Sequence, residues 1–119
     1  MSAKKRAPRV CVIDVNRDHV EEISVHLQSN GFRTIACYSP RGALGRIRRE
    51  TPDAVVVEVI LPGVSGFEIA ARMEADRRLS RIPVFFITDI QNSAGDNHDY
   101  FPRPLDIPAF ISALKQRTA

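Results

Sequence analysis

The chain has 119 residues, 44% of them apolar, and a formal net charge of +3. This length suits one domain, and the apolar content supports a single core without disulfides or a structural metal. No apolar run approaches the ~18 residues of a membrane span, and no apolar segment behind the basic start could form a signal peptide. We therefore expect a cytoplasmic protein without membrane association, with a basic flexible tail over 1–8 and one domain over 9–119.

Strand and helix patterns alternate along the chain. Apolar runs predict strands over 9–14, 32–37, 53–58, 83–88 and 99–101, and helical spacing predicts helices over 17–29, 40–50, 65–76 and 106–117. Three helices carry an apolar stripe that we expect in the core: Val20, Ile23 and Leu27; Phe67, Ala70 and Met73; Phe110, Ile111 and Leu114. Alternation of this kind implies right-handed crossovers and a parallel sheet.

The third predicted strand is the most informative segment. Its residues from Ala54 to Val57 are all small or β-branched and apolar, which is typical of a parallel strand covered on both faces. The strand ends on Glu58, which places one carboxylate at the edge of the sheet where α/β proteins bind their ligands.

This segment resembles the third strand and following loop of the receiver domain of bacterial two-component response regulators, where an aspartate accepts a phosphoryl group. Here Glu58 has that position. Three further motifs occur in the matching order: Val12-Ile13-Asp14 as the first strand and its acid, Ile82 to Thr88 as the fourth strand, and Tyr100 to Pro104 as the fifth. The resemblance covers about residues 8 to 117. It implies a flavodoxin-like, doubly wound α/β fold with five parallel strands in the order 2-1-3-4-5.

The chain departs from the family pattern between Thr88 and Arg103. Only 14 residues intervene, where the family places a whole helix before the fifth strand. The first ten of them contain two apolar side chains, Ile90 and Ala94, within a turn-forming composition. The fourth helix of the family is therefore expected to be shortened or missing.

The resemblance also implies a degenerate pocket. Active members hold a divalent cation between two acids and the phosphoacceptor aspartate, and a lysine helps to neutralise the phosphoryl group. Here Asp14 is retained, Val15 stands at the lost acidic position, and Arg103 stands at the lysine position. The pocket is thus less negative than usual, so we expect weak or absent Mg²⁺ binding, no other cofactor, no catalytic residue and no metal site among the histidines and cysteines.

Glu58 allows two interpretations. Its longer side chain could partly imitate a phosphoaspartate, with fewer charges and oxygens than a phosphoryl group. Alternatively, it pairs with Arg103, whose planar guanidinium suits a carboxylate, and the site has lost its chemistry. Pro104 resembles the family's proline, which is preceded by a cis bond.

Three other side chains near the predicted pocket have two interpretations each. Thr88 and Tyr100 resemble the hydroxyl and aromatic switch residues of the family, although both types are common in strands. Asp89 stands where the family has a small residue. It would either repel an incoming phosphate or turn the shortened loop toward solvent.

The sequence leaves three functions open. The leading one is a stand-alone pseudo-receiver, a non-enzymatic, non-phosphorylated interaction module whose partner is a histidine kinase or phosphotransfer domain that meets the first helix. The alternative is a Mg²⁺-dependent, phosphoryl-accepting, single-domain response regulator. The least favoured is a nucleic-acid-associated module acting through the basic tail, from Lys4 to Arg9, and the arginines of 41–49, because no aromatic residues interleave these charges.

Overall fold

The computed structural model describes residues 6–89 and 99–119. One sheet of five parallel strands has the order β2-β1-β3-β4-β5. The strands are β1 (Arg9–Ile13), β2 (Arg33–Cys37), β3 (Ala54–Glu58), β4 (Val84–Thr88) and β5 (Tyr100–Pro102). Within the described residues the helices are α1 (Arg17–Gln28), α2 (Ala43–Glu50), α3 (Gly66–Glu74) and α4 (Ile107–Thr118). The predicted fold class and strand order are confirmed.

The connection from β4 to β5 contains the segment for which a shortened helix was expected. Residues 90–98 of that connection, to which the expectation applies, lie outside the described part of the chain. Of the helices that are described, none has the length and apolar character needed to cross a membrane.

The sheet is covered by helices on both faces. All five residues of β3 are buried, which agrees with the apolar run from Ala54 to Val57. Side chains alternate between two core clusters: Cys11, Ile13, Val55 and Val57 face one side with residues of α2 and α3, and Val10, Val12 and Val56 face the other with residues of α1 and α4. This packing fixes the carboxyl ends of β1, β3 and β4 at one edge.

The predicted apolar stripes are confirmed for α1 and for α4, whose stripe residues are all buried. In α3 the buried residues are Gly66, Ile69 and Met73, and Phe67 is 47% exposed, so its assignment to the core was wrong. Its ring instead lies 4.9 Å from the ring of Phe86, at the margin of the core. The stripe is rotated because α3 begins with Gly66 pressed against β3.

Gly66 is required for this approach. A Cβ atom at this residue would lie 2.4 Å from the carbonyl oxygen of Glu58, closer than any side chain tolerates. The Gly66 amide donates a hydrogen bond to the carbonyl oxygen of Val59 at 2.8 Å, and Ser65 caps the helix by accepting from the amide of Glu68. The start of α3 is therefore fixed directly beside the end of β3.

The two cysteines are free and buried. Cys11 is opposite Ile35 in the β1–β2 register, and Cys37 is opposite Ile13, so the two thiols lie diagonally on adjacent strands. Burial raises the pKa of Cys11 to about 12, which keeps the thiol protonated and unreactive at neutral pH.

Candidate functional site

Two carboxylates lie side by side at the carboxyl-terminal edge of the sheet. Asp14 directly follows β1 and Glu58 ends the neighbouring β3, and they are only 4% and 8% exposed. Each has one oxygen tied to local backbone: Asp14 Oδ1 accepts from the amide of Asn16 at 3.0 Å, and Glu58 Oε2 accepts from the amide of Ile60 at 3.2 Å. Two negative charges that are buried side by side require a positively charged partner.

Arg103 supplies that charge. Its Nη1 atom is 2.6 Å from Glu58 Oε1, and its Nη2 atom is 3.2 Å from Asp14 Oδ2. The side chain is only 16% exposed. The guanidinium therefore bridges both carboxylates through separate nitrogens, a use of the arginine fork that a lysine could not reproduce.

The residues around Arg103 hold it at the edge. Its amide donates to the carbonyl oxygen of Thr88 at 2.8 Å, which attaches the end of β5 to β4. The peptide bond between Arg103 and Pro104 is cis. Asp89 Oδ1 lies 3.5 Å from Arg103 Nη1, although the Asp89 side chain is 77% exposed. Asp89 thus contacts the pocket from its solvent side.

His19 joins the site, and sequence reasoning missed it. Its Nδ1 atom is 3.2 Å from Asp14 Oδ2. The available signal was Asn16, which caps α1 by accepting from the His19 amide and so places this ring in the first turn, above the end of β1. Attention to histidine and cysteine spacing alone overlooked a histidine that pairs with a carboxylate.

Asp14, His19 and Glu58 together could offer ligand atoms to a metal ion, because one atom from each lies within 4.8 Å of the others. Mg²⁺ prefers an octahedron of oxygen ligands. Here one donor is an imidazole nitrogen, and both carboxylates already contact the guanidinium of Arg103. This set of donors is therefore a poor match for Mg²⁺.

The remaining predicted residues are less closely connected to the carboxylates. Val15 is 43% exposed and adds no acid. Thr88 is fully buried at the end of β4. Tyr100, at the start of β5, is half-buried and stacks on Phe67 with ring centroids 6.4 Å apart. The structure thus brings Asp14, Glu58 and Arg103 together and places Tyr100 against α3.

A cleft of about 420 Å³ lies beside the pocket. It runs between α1 and the segment that follows β5, and it is lined in part by His19, Ile23, His26, Arg103 and Leu105. The cleft gives a partner access to both α1 and the arginine that closes the pocket.

Comparisons with known proteins agree with this architecture. Residues 10–104 match the response regulator receiver domain family. The chain belongs to this family. It is 26% identical over 113 residues to the polar-differentiation response regulator DivK of Brucella ovis, covering 89% of this chain and 92% of that protein. It is 22% identical to protein PilH of Pseudomonas aeruginosa, with 89% and 93% covered.

Solved structures show the same fold. A putative response regulator from Chloroflexus aurantiacus superposes with a TM-score of 0.85 at 20% identity, covering 93% of this chain and 97% of the other. The family match over residues 10–104, rather than the shared fold, identifies the chain as a receiver domain of the two-component type. Receiver domains are signalling modules that act with protein partners.

Proposed function

We propose that this receiver domain is a pseudo-receiver, which does not take up a phosphoryl group and signals by binding a protein partner rather than by catalysis. The observation that carries the proposal is the bridge from Arg103 to Glu58 and Asp14, at 2.6 and 3.2 Å. The bridge places a permanent cation between the two carboxylates that would have to face a metal ion.

The charge of the pocket supports this proposal. Asp14 and Glu58 supply two negative charges, and Arg103 offsets one of them with a positive charge that belongs to the protein itself. A divalent ion entering this space would meet the guanidinium. At ~4 Å and an effective dielectric of 20, each pair of unit charges interacts by about 4 kcal/mol, before solvent screening reduces that figure.

The position of Glu58 favours pairing over imitation of a phosphoaspartate. One carboxylate oxygen faces Arg103 and the other accepts from the amide of Ile60. A phosphoryl mimic must direct its oxygens toward groups that respond to phosphorylation. Both oxygens of Glu58 are held by static partners, so we infer a structural ion pair.

For the partner, we propose a histidine kinase or phosphotransfer domain that binds α1 and the adjacent cleft. Val15 and Val25 are exposed apolar residues, Val15 just before α1 and Val25 within it. These side chains would offer apolar contacts to a partner domain that packs on α1. Substitution of Val25 by Glu should abolish capture of such a domain, whereas Ser112→Glu on α4 serves as the matched control.

One observation favours the alternative of a Mg²⁺-dependent phosphoryl acceptor. The carboxylates and His19 lie close enough together to share one ion if Arg103 withdraws. In that case the ion would be held by Asp14 and Glu58, and Glu58 would be the acceptor.

Incubation with acetyl phosphate and Mg²⁺, followed by intact-mass analysis, separates the two functions. We expect no phosphate adduct on the wild-type chain. The triple variant Val15→Asp/Glu58→Asp/Arg103→Lys restores the family's residues and provides the matched positive control. A stoichiometric adduct on the wild type that is lost in Glu58→Gln would establish the alternative.

A further inference from the structure

Arginines that are scattered through the sequence converge on the edge of the sheet opposite the pocket. At this amino-terminal edge the strands β1 to β4 begin and the helices α2 and α3 end. We call it the arginine edge, and it contains eight arginines: Arg6, Arg9, Arg33, Arg48, Arg49, Arg77, Arg78 and Arg81. The segment 77–81 belongs to the turn between α3 and β4, and sequence reasoning did not connect it to the other basic clusters.

Asp76 connects two parts of this edge. One of its carboxylate oxygens is 3.2 Å from Arg48 Nε at the end of α2, and the other accepts from the Arg78 amide at 2.9 Å. A single acid therefore holds the turn that follows α3 against α2. The arginine-bearing segments of α2 and of this turn therefore lie next to each other.

The other side of the edge is attached through β1 and β2. Arg9 and Arg33 are direct neighbours in the parallel register, and the Arg33 amide donates to the carbonyl oxygen of Pro8 at 2.8 Å. Arg9 forms an ion pair with Glu50 at 3.3 Å. Arg33 is exposed and forms no ion pair among the described residues. Like charges placed side by side destabilise a sheet, which makes an external anion favourable here.

The charge of the edge is not balanced internally. Its eight arginines face four carboxylates: Glu50, Asp53, Glu74 and Asp76. Within residues 6–89 and 99–119, six of the eight form no ion pair, and all six are exposed. Eight arginines and four carboxylates give this edge a net charge of +4. The entire chain has a net charge of +3, so the remaining residues together have a net charge of −1. Positive charge is therefore concentrated at the arginine edge.

We propose that the arginine edge binds double-stranded DNA through the backbone phosphates, without reading sequence. Guanidinium groups match phosphate oxygens at two points, and binding to duplexes without sequence preference depends on phosphate neutralisation alone. Interfaces with nucleic acid are also more polar and more positively charged than interfaces between proteins.

The apolar surface argues against other anionic partners. Among residues 6–89 and 99–119 the exposed large apolar residues are Val15, Val25, Tyr38, Ile60 and Phe67, and none of these belongs to the arginine edge. A protein partner usually needs an apolar or aromatic centre, a membrane-surface segment needs side chains that enter the lipid, and single strands need aromatic platforms. A duplex needs none of these.

The test measures fluorescence anisotropy of a labelled duplex of about 20 base pairs with the full chain at several salt concentrations. We expect saturable binding at low salt that weakens steeply as salt rises. Arg77→Gln/Arg78→Gln should weaken binding by about tenfold and make the salt slope shallower by about one unit for each arginine removed. The matched control Arg17→Gln/Arg41→Gln removes the same charge outside the edge and should leave affinity within about twofold.

Several outcomes would overturn the proposal. Absence of binding at low salt would do so directly. An equal loss of duplex affinity in the two double variants would show a general effect of net charge. Equal or tighter binding to single-stranded DNA, to polyglutamate or to phosphatidylserine vesicles would assign the edge to a different partner. Circular dichroism of both variants establishes that each remains folded.

Discussion

The two edges of the sheet use arginine in opposite ways. At the carboxyl-terminal edge Arg103 is nearly buried and is bound to Glu58 and Asp14. At the arginine edge, Arg77 and Arg78 are exposed and form no ion pair within the described part of the chain. Arginine thus closes the pocket at one edge, whereas at the other edge its charge is available to an external anion.

This contrast teaches that the location of a charge decides its role. A buried ion pair is stabilised only while both partners remain, so removing one of them leaves an uncompensated charge out of water. An exposed arginine contributes little to stability because water already solvates it. Substitutions at the two edges should therefore separate stability from binding.

The largest effect is expected at Arg103. Arg103→Met leaves Asp14 and Glu58 buried together without their cation and should lower the free energy of unfolding by about 3–5 kcal/mol. Urea denaturation measures this loss. The control Arg72→Met breaks the exposed pair with Glu68, whose atoms are 3.5 Å apart, and should cost at most about 1 kcal/mol. Similar losses in both variants would contradict the burial argument.

A smaller effect is expected from the glycine that fixes α3 beside the pocket. Gly66→Ala places a Cβ atom against the Glu58 carbonyl and should destabilise the fold by about 1–3 kcal/mol. Gly45→Ala in α2 is the matched control, because its Cβ would meet only the end of the Arg49 side chain at 3.8 Å. The control should be neutral or stabilising by up to about 1 kcal/mol. If thermal unfolding ranks these variants in the reverse order, the close approach is not rigid.

The arginine edge should contribute little to stability. Arg77→Gln/Arg78→Gln removes two exposed charges while the Arg78 amide bond to Asp76 remains available to glutamine. We expect the free energy of unfolding to change by less than about 0.5 kcal/mol in urea. A loss comparable to that of Arg103→Met would mean that these arginines maintain the fold, which would remove the contrast between the edges.

The smallest effect concerns Asp76 at the arginine edge. The hydrogen bond from the Arg78 amide, and then that from the Arg48 side chain, lower the pKa of Asp76 below 3.8. Its contribution to stability is therefore present above that pH and is lost as the pH falls through the lowered pKa. Carboxyl NMR titration of the Arg48→Gln variant should show the pKa of Asp76 rising only part of the way to its ordinary value, because the Arg78 amide still donates its hydrogen bond. A complete return would assign the shift to Arg48 alone.

Sequence alone predicted the sheet because Val10 to Ile13 in β1 and Ala54 to Val57 in β3 are unbroken apolar runs and the helices have clear stripes. The resemblance to the receiver family implied that Asp14, Glu58 and Arg103 share one pocket, and the structure brings their side chains into contact. Phe67 was misassigned because the rotation of α3 depends on the contact of Gly66 with β3. His19 was missed because its partner depends on where α1 begins.

The arginine edge could not be assembled from sequence for a related reason. Arg33, Arg48 and Arg77 are separated in sequence by whole strands and helices, and only the topology brings their segments to one edge. Charge runs within the sequence reveal local clusters. They do not show that Asp76 joins α2 to the turn after α3.

The most direct test of the closed pocket is a Mg²⁺ titration by backbone amide NMR, with and without beryllofluoride, following Asp14, Glu58 and Thr88. The triple variant Val15→Asp/Glu58→Asp/Arg103→Lys provides the control that should respond. We predict no saturable shift at these residues in the wild type at millimolar Mg²⁺, because Arg103 already contacts both carboxylates and offsets one of their two charges. Saturable shifts that increase with beryllofluoride would show that Arg103 withdraws, and they would contradict the account of a pseudo-receiver.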